Sequence, residues 1–270
     1  MKIAIQTLLL PGATLDEQFS AAAQYGFDGV ELAVGPAFDL AERFDDVRGA
    51  MAHSGLPVCA ICTHPMHDPL VPDPADRARR FAALADLLRL ADALGAGGVV
   101  SVPVRPPHAF PEMKDRDQEL LTLAVDEFRR WTEALPAGTA AVFLEPLNRY
   151  EAFFLNRVGQ ATALAAQVDH PRVQALGDLF HMNIEETDPG DPLVAAGKRL
   201  GHVHIADNNR FEPGAGCLNF GPAFAALKAI DYQGFVSIEC WSPKGPRLSG
   251  DPAAVLPASI HLMRSQWDAA

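Results

Sequence analysis

The chain has 270 residues, 49% of them hydrophobic, with 34 acidic against 22 basic side chains and a formal charge of −12. That apolar content can fill a large core in one or two domains, while the acidic excess repels a phosphodiester backbone and argues against nucleic acid as a partner. No apolar run reaches the roughly 18 to 20 residues that a membrane-crossing helix needs, so no membrane partner is expected.

Met1 to Leu10 begins with a basic Lys2, but Gln6 and Thr7 interrupt its apolar run, so it reads as a first β-strand rather than a secretory leader. From there, strand-like runs alternate with amphipathic helical runs, the pattern of a parallel sheet with helical crossovers. The strands expected are Lys2 to Thr7, Gly29 to Val34, Val58 to His64, Gly98 to Val104, Ala140 to Pro146, Val173 to Asp178, Gly201 to Ala206 and Phe235 to Cys240. The clearest helices expected are Asp73 to Leu94, Gln118 to Leu135 and Pro222 to Ile230, where apolar residues recur at helical spacing. Eight such units close an α/β (β/α)8 TIM barrel, and no linker or low-complexity tract divides residues 1–270, which are expected to form a single domain. Two longer connections, 105–112 and 208–221, follow strands and are candidate covers for the barrel mouth. Cys59 and Cys62 form the only close pair among four cysteines and lie in an apolar run, as core thiols of a reducing cytoplasm would.

Four strands end on chemistry. Glu145, Asp178, His204 and Glu239 stand near the carboxyl ends of the last four strands, where catalytic barrels keep their active sites. Any one of them could be a satisfied polar group at a strand terminus. Together, one imidazole and three carboxylates are better explained by a divalent metal site. Side-chain alternation supports this, because Phe143 shares a face with Glu145, Leu176 with Asp178, His202 with His204, and Ser237 with Glu239. His204 lies nearer the mouth and is the expected ligand; His202 is expected to pack inside or to support the ligands. The ligand types favour Mn²⁺ or Mg²⁺, with Co²⁺ and Zn²⁺ also compatible. Alternation also turns Glu31 toward the mouth, and His64 ends the third strand, making both candidate substrate contacts.

The runs Leu-Glu-Pro-Leu-Asn-Arg-Tyr-Glu (144–151), Gly-Asp-Leu-Phe-His-Met-Asn-Ile-Glu-Glu (177–186), Gly-His-Val-His-Ile-Ala-Asp-Asn-Asn-Arg (201–210) and Ser-Ile-Glu (237–239) resemble the sugar isomerase/epimerase superfamily of xylose-isomerase-like barrels. Within it they are most similar to the D-tagatose and D-psicose (ketose) 3-epimerases. The resemblance spans Leu144 to Glu239; the amino-terminal half matches only in its strand-helix rhythm. It implies a metal held by Glu145, Asp178, His204 and Glu239, and substrate contacts at Glu151, His181 and Arg210. Gly177-Asp178-Leu179 stands where many relatives have Leu-Asp-Thr, with the ligand itself retained.

The implied reaction is epimerisation of a small sugar through an enediolate, with Glu145 and Glu239 as the acid/base pair. A homodimer or homotetramer would be ordinary for such a family. Aldose-ketose isomerisation, as by hydroxypyruvate isomerase, or epimerisation of a sugar phosphate would use similar machinery. The related apurinic-site endonucleases need many histidines, which the fourth strand lacks, and the charge also argues against them. A non-catalytic sugar-binding barrel would need no paired bases.

Overall fold

The computed structural model describes residues 1–106, 110 and 113–270, so much of the expected cover at 105–112 lies outside the described residues. Eight parallel strands, β1 (Lys2–Gln6), β2 (Gly29–Val34), β3 (Val58–Thr63), β4 (Gly98–Ser101), β5 (Ala141–Leu144), β6 (Val173–Asp178), β7 (Leu200–Ile205) and β8 (Phe235–Ile238), form a closed barrel in chain order. The ring closes where Lys2 to Ile5 pair with Phe235 to Ile238. It is a (β/α)8 TIM barrel. Several strands stop short of the expected limits. β4 ends before Pro103 and β5 before Pro146, since proline supplies no N–H to a ladder.

Helices cover the outside, and their ends are written in local chemistry. The longest, Pro74–Leu94, starts with Asp73 accepting the Asp76 N–H and a proline in its first turn, and ends at Gly95 with φ 72°. Only glycine takes that left-handed geometry freely, and it turns the chain toward β4. Among the described residues, no helix is long and apolar enough to cross a membrane.

Alternation along the strands separates two cores. Ile3, Ile5, Val30, Leu32, Val142 and Ile205 face outward and pack with the helices in the main core. Inside the barrel a smaller cluster contains Ala4, Ala60, Val100, Phe143 and Leu176. The Phe143 ring stacks on His202 at 5.4 Å between centroids, with planes 13° apart. It fits because Gly98 and Gly201 lack a side chain; a Cβ at either would collide with the ring. This apolar plug leaves the carboxyl end of the barrel for polar groups.

Candidate metal centre and active site

Glu145, Asp178, His204 and Glu239 meet at that carboxyl end, each offering an atom within 4.8 Å of the others. The sheet itself places them. The Glu145 N–H still donates to Ser101 O at 3.1 Å, and the Glu239 N–H to Ile205 O at 3.1 Å, so both extend their strands' ladders by a residue. Asp178 ends β6 and caps the next helix, Leu179–Glu185, accepting the Phe180 N–H at 2.8 Å.

Three carboxylates at this spacing, all but dry, are electrostatically costly without a counter-charge. Burial and the charge of Glu239 push the Asp178 carboxyl up to about 6. Burial and Glu239 likewise raise Glu145. Glu239 goes the other way: burial opposes its charge, but His204 and then Arg210 hold it down at about 2. A compact oxygen-rich donor set with one imidazole and no thiolate is the kind a divalent cation takes.

Glu31 departs from expectation. It is 0% exposed and lies under the cluster instead of contacting the cavity. Its carboxylate accepts from His202 Nε2 at 2.6 Å, from His204 Nε2 at 3.1 Å and from Gln6 Nε2 at 2.8 Å. Alternation suggested a substrate contact here; in the structure the carboxylate is occupied by these partners and does not line the cavity. Burial alone would raise its pKa, yet His204 and His202 hold it far below the ordinary carboxylate range. By accepting a hydrogen bond from His204 Nε2–H, Glu31 turns His204 Nδ1 toward Glu145, 3.2 Å away, and Glu239, 3.5 Å away. His202 also donates to Glu31 at 2.6 Å while its ring packs on Phe143. Glu31, His202 and His204 could formally make a second cation-binding trio. The 2.6 Å contact, however, is a direct hydrogen bond between His202 and Glu31, and the trio reads as a support.

The other expected residues form a linked wall. His181 Nδ1 accepts from Asn148 Nδ2 at 2.8 Å and from the Asn148 backbone at 3.2 Å, so its proton sits on Nε2. That nitrogen is buried, has no hydrogen-bond partner, and lies 3.6 Å from Asp178. Burial lowers His181 to about 4, leaving a neutral ring with a spare donor. Glu151 accepts from Asn148 Nδ2 at 2.9 Å and from Arg210 Nη1 at 2.6 Å. Arg210 has φ 62°, uncommon for a residue with a Cβ. The 208–221 connection holds it there: Asp207 accepts N–H groups from Asn208, Gly214 and Leu218, each at 2.9 Å. The guanidinium also lies over the Phe180 ring at 4.8 Å.

Above the cluster opens a cavity of about 300 Å³, lined by Glu145 and Glu239 and by Glu151 and Arg210 from the loops after β5 and β7. His64 and Arg105 line it on the side of β3 and β4.

Comparison with known proteins agrees with this architecture. Residues 19–266 match the xylose isomerase-like TIM barrel family. The chain belongs to that family. It is 33% identical to the 3-dehydro-D-guloside 4-epimerase of Escherichia coli (strain K12), over 98% of this chain and 100% of the relative. It is 30% identical to an L-ribulose 3-epimerase of Methylomonas sp. (strain DH-1), over 85% of this chain and 80% of the relative. Among solved structures, the apo 3-keto-D-glucoside 4-epimerase from E. coli superposes with a TM-score of 0.80 at 30% identity, covering 98% of this chain and 99% of that one. D-psicose 3-epimerase from Clostridium cellulolyticum H10, solved with D-tagatose, gives 0.86 at 24% identity over 99% of both chains, a likeness of fold.

Against this family background, sequence reasoning overlooked Gln6, Asn148, Asp207 and the pair Asp68 and Arg105. Gln6 carried a signal, being a polar residue in an otherwise apolar strand, and Asn148 sat inside a motif already singled out. Asp68 and Arg105 are 37 residues apart and carried none.

Proposed function

We propose that this protein is a divalent-metal-dependent sugar epimerase that inverts a carbon next to a ketone carbonyl, with C3 of a ketose as the principal site. The supporting observation is the buried cluster of Glu145, Asp178, His204 and Glu239, two of whose carboxylates border a sugar-sized cavity. These four residues would hold the cation, and their oxygen-rich set suits Mn²⁺ best, with Mg²⁺, Co²⁺ or Zn²⁺ as alternatives. When bound, such a cation supplies Lewis acidity that stabilises negative charge developing on a substrate oxygen.

The chain's own groups do the rest. Glu145 follows β5 and Glu239 follows β8, three strands apart in the ring, so a sugar between them has a carboxylate on either side. One removes the proton from the carbon, and the other returns a proton to the far face; the roles exchange for the reverse reaction. The neutral His181 donates Nε2–H to an oxygen beside the cluster, and Arg210 and Glu151, fixed to each other, orient hydroxyl groups. His64, on the opposite wall, is a further candidate contact. Four unpaired cysteines suit a reducing cytoplasm. A homodimer or homotetramer is the proposed assembly, checked by light scattering.

Incubation with manganese and a panel of ketoses in D₂O tests the reading. Deuterium at C3 with an inverted centre is the expected result; deuterium at C1 or C2 with a shifted carbonyl would instead show an aldose-ketose isomerase. A second reading, inversion at C4 of a 3-keto glycoside, has a specific support. The E. coli 4-epimerase matches over its entire length, whereas the ketose 3-epimerase from Methylomonas matches over 80% of its own. The chemistry is the same, a proton moved next to a ketone, and a 3-keto glucoside included in the panel separates the two by label position.

A further inference from the structure

We propose that Arg105, held by Asp68, forms a second hydroxyl-binding subsite in the cavity that Arg210 and Glu151 also line, and selects an uncharged sugar. This rests on the epimerase reading for its reaction, but on separate residues for its geometry. Arg105 follows β4 and Arg210 follows β7, three strands apart in the ring, and both side chains line the one cavity over the cluster.

The support behind Arg105 is unusually complete. Asp68 has a side chain with 0% exposure and grips the guanidinium at two points, Nε to Oδ2 at 2.6 Å and Nη2 to Oδ1 at 3.1 Å. The Asp68 segment is itself pinned, because Arg80 Nη1 donates to the backbone oxygens of Met66 at 2.8 Å and of Asp68 at 3.1 Å. Leu70 N–H donates to Pro103 O at 2.9 Å, tying the two loops together. A wholly buried carboxylate is expensive unless it fixes something. Here it orients a planar fork whose Nη1 has no partner among the described residues, while the side chain lines the cavity. Beside it, His64 Nδ1 accepts the Met66 N–H at 3.2 Å, leaving the other ring nitrogen for a ligand.

Charge decides the ligand class. Both arginines lining the cavity already have a carboxylate partner, and Glu145 and Glu239 line it too, so no positive charge is spare for a phosphate or carboxylate. A guanidinium N–H beside a committed ion pair suits the hydroxyl of a neutral polyol.

The test uses the full-length, manganese-loaded protein with D-psicose, its 4-, 5- and 6-deoxy analogues and its 6-phosphate. In R105M, KM for D-psicose should rise about 10- to 100-fold, the loss of one charge-assisted hydrogen bond. The turnover number and label position should hold, and one deoxy analogue should show no further penalty in the variant. Tm should fall because Asp68 loses its partner, and D68N/R105M should recover Tm while keeping the raised KM. R105K, which keeps the charge but not the fork, should resemble R105M. An unchanged KM in R105M, a loss confined to turnover or Tm, or a lower wild-type KM for the 6-phosphate than for D-psicose would overturn the subsite. If wild type exchanges no proton with any sugar, the epimerase reading falls instead. Calorimetric binding of D-psicose to wild type and R105M then judges the subsite alone, equal affinity rejecting it.

Discussion

Strands β5 to β8 each deliver one member of the cluster directly, Glu145, Asp178, His204 and Glu239, whereas β1 and β2 reach it only through Gln6 and Glu31 beneath. One half of the barrel supplies the cluster. The other braces it from below and lines another part of the cavity, so under the proposed function the first would carry the proton transfer and the second the support. Substitutions in the two halves should therefore fail in different ways: loss of proton transfer on one side, loss of affinity or selectivity on the other.

The largest effects belong to the carboxyl-terminal half. E239Q and E145Q should each slow solvent-deuterium exchange into the sugar by about 10²- to 10⁴-fold, the scale of general acid-base catalysis. Exchange at the wild-type rate in both would end the acid/base assignment, and with it the contrast. Next comes E31Q, which leaves every cavity group in place but weakens the grip on His204. Manganese affinity measured by calorimetry should fall about 10- to 100-fold, with turnover recovering at saturating metal. If E31Q instead behaved like E239Q, the two halves would not be distinct.

A smaller effect comes from pH. Asp178, raised to about 6 in the folded protein, must lose its proton to bind a cation. Metal affinity should weaken by up to about tenfold per pH unit below 6, and binding should release a proton there. The sign for the metal-free protein is opposite. A raised carboxyl pKa favours the folded state at low pH, so this contribution to stability fades as pH climbs through the Asp178 pKa. Thermal melts with and without manganese should accordingly diverge more at pH 7 than at pH 5. The smallest expected change is D207A, which loosens the turn beneath Arg210 and should raise the ketose KM a few-fold without altering metal affinity.

The same division explains what could be read in the amino acids alone. The eight-unit rhythm survives because each strand and helix is signalled locally, by alternation and by caps such as Asp73 and Gly95. The cluster was legible because each member closes a strand, and a strand end in a parallel barrel has one destination. The depth of Glu31 was not legible, because alternation gives a face but not a layer. It points inward beneath the cluster, and only the partners at separations of 171 and 173 residues show that. Arg105 opens a connection expected to cover the mouth, but nothing in that segment assigned it a partner, because its anchor Asp68 lies on the neighbouring loop.

Gln6 comes from the first strand, yet its amide reaches across 233 residues to Glu239 on the last, at 2.9 Å. The seam where the ring is sewn shut thus runs directly under the carboxylate cluster. A chain still emerging from the ribosome, or one whose terminal strand has come loose, lacks both Glu239 and its brace. On the proposed metal reading, cation uptake would report that the cylinder has finished closing.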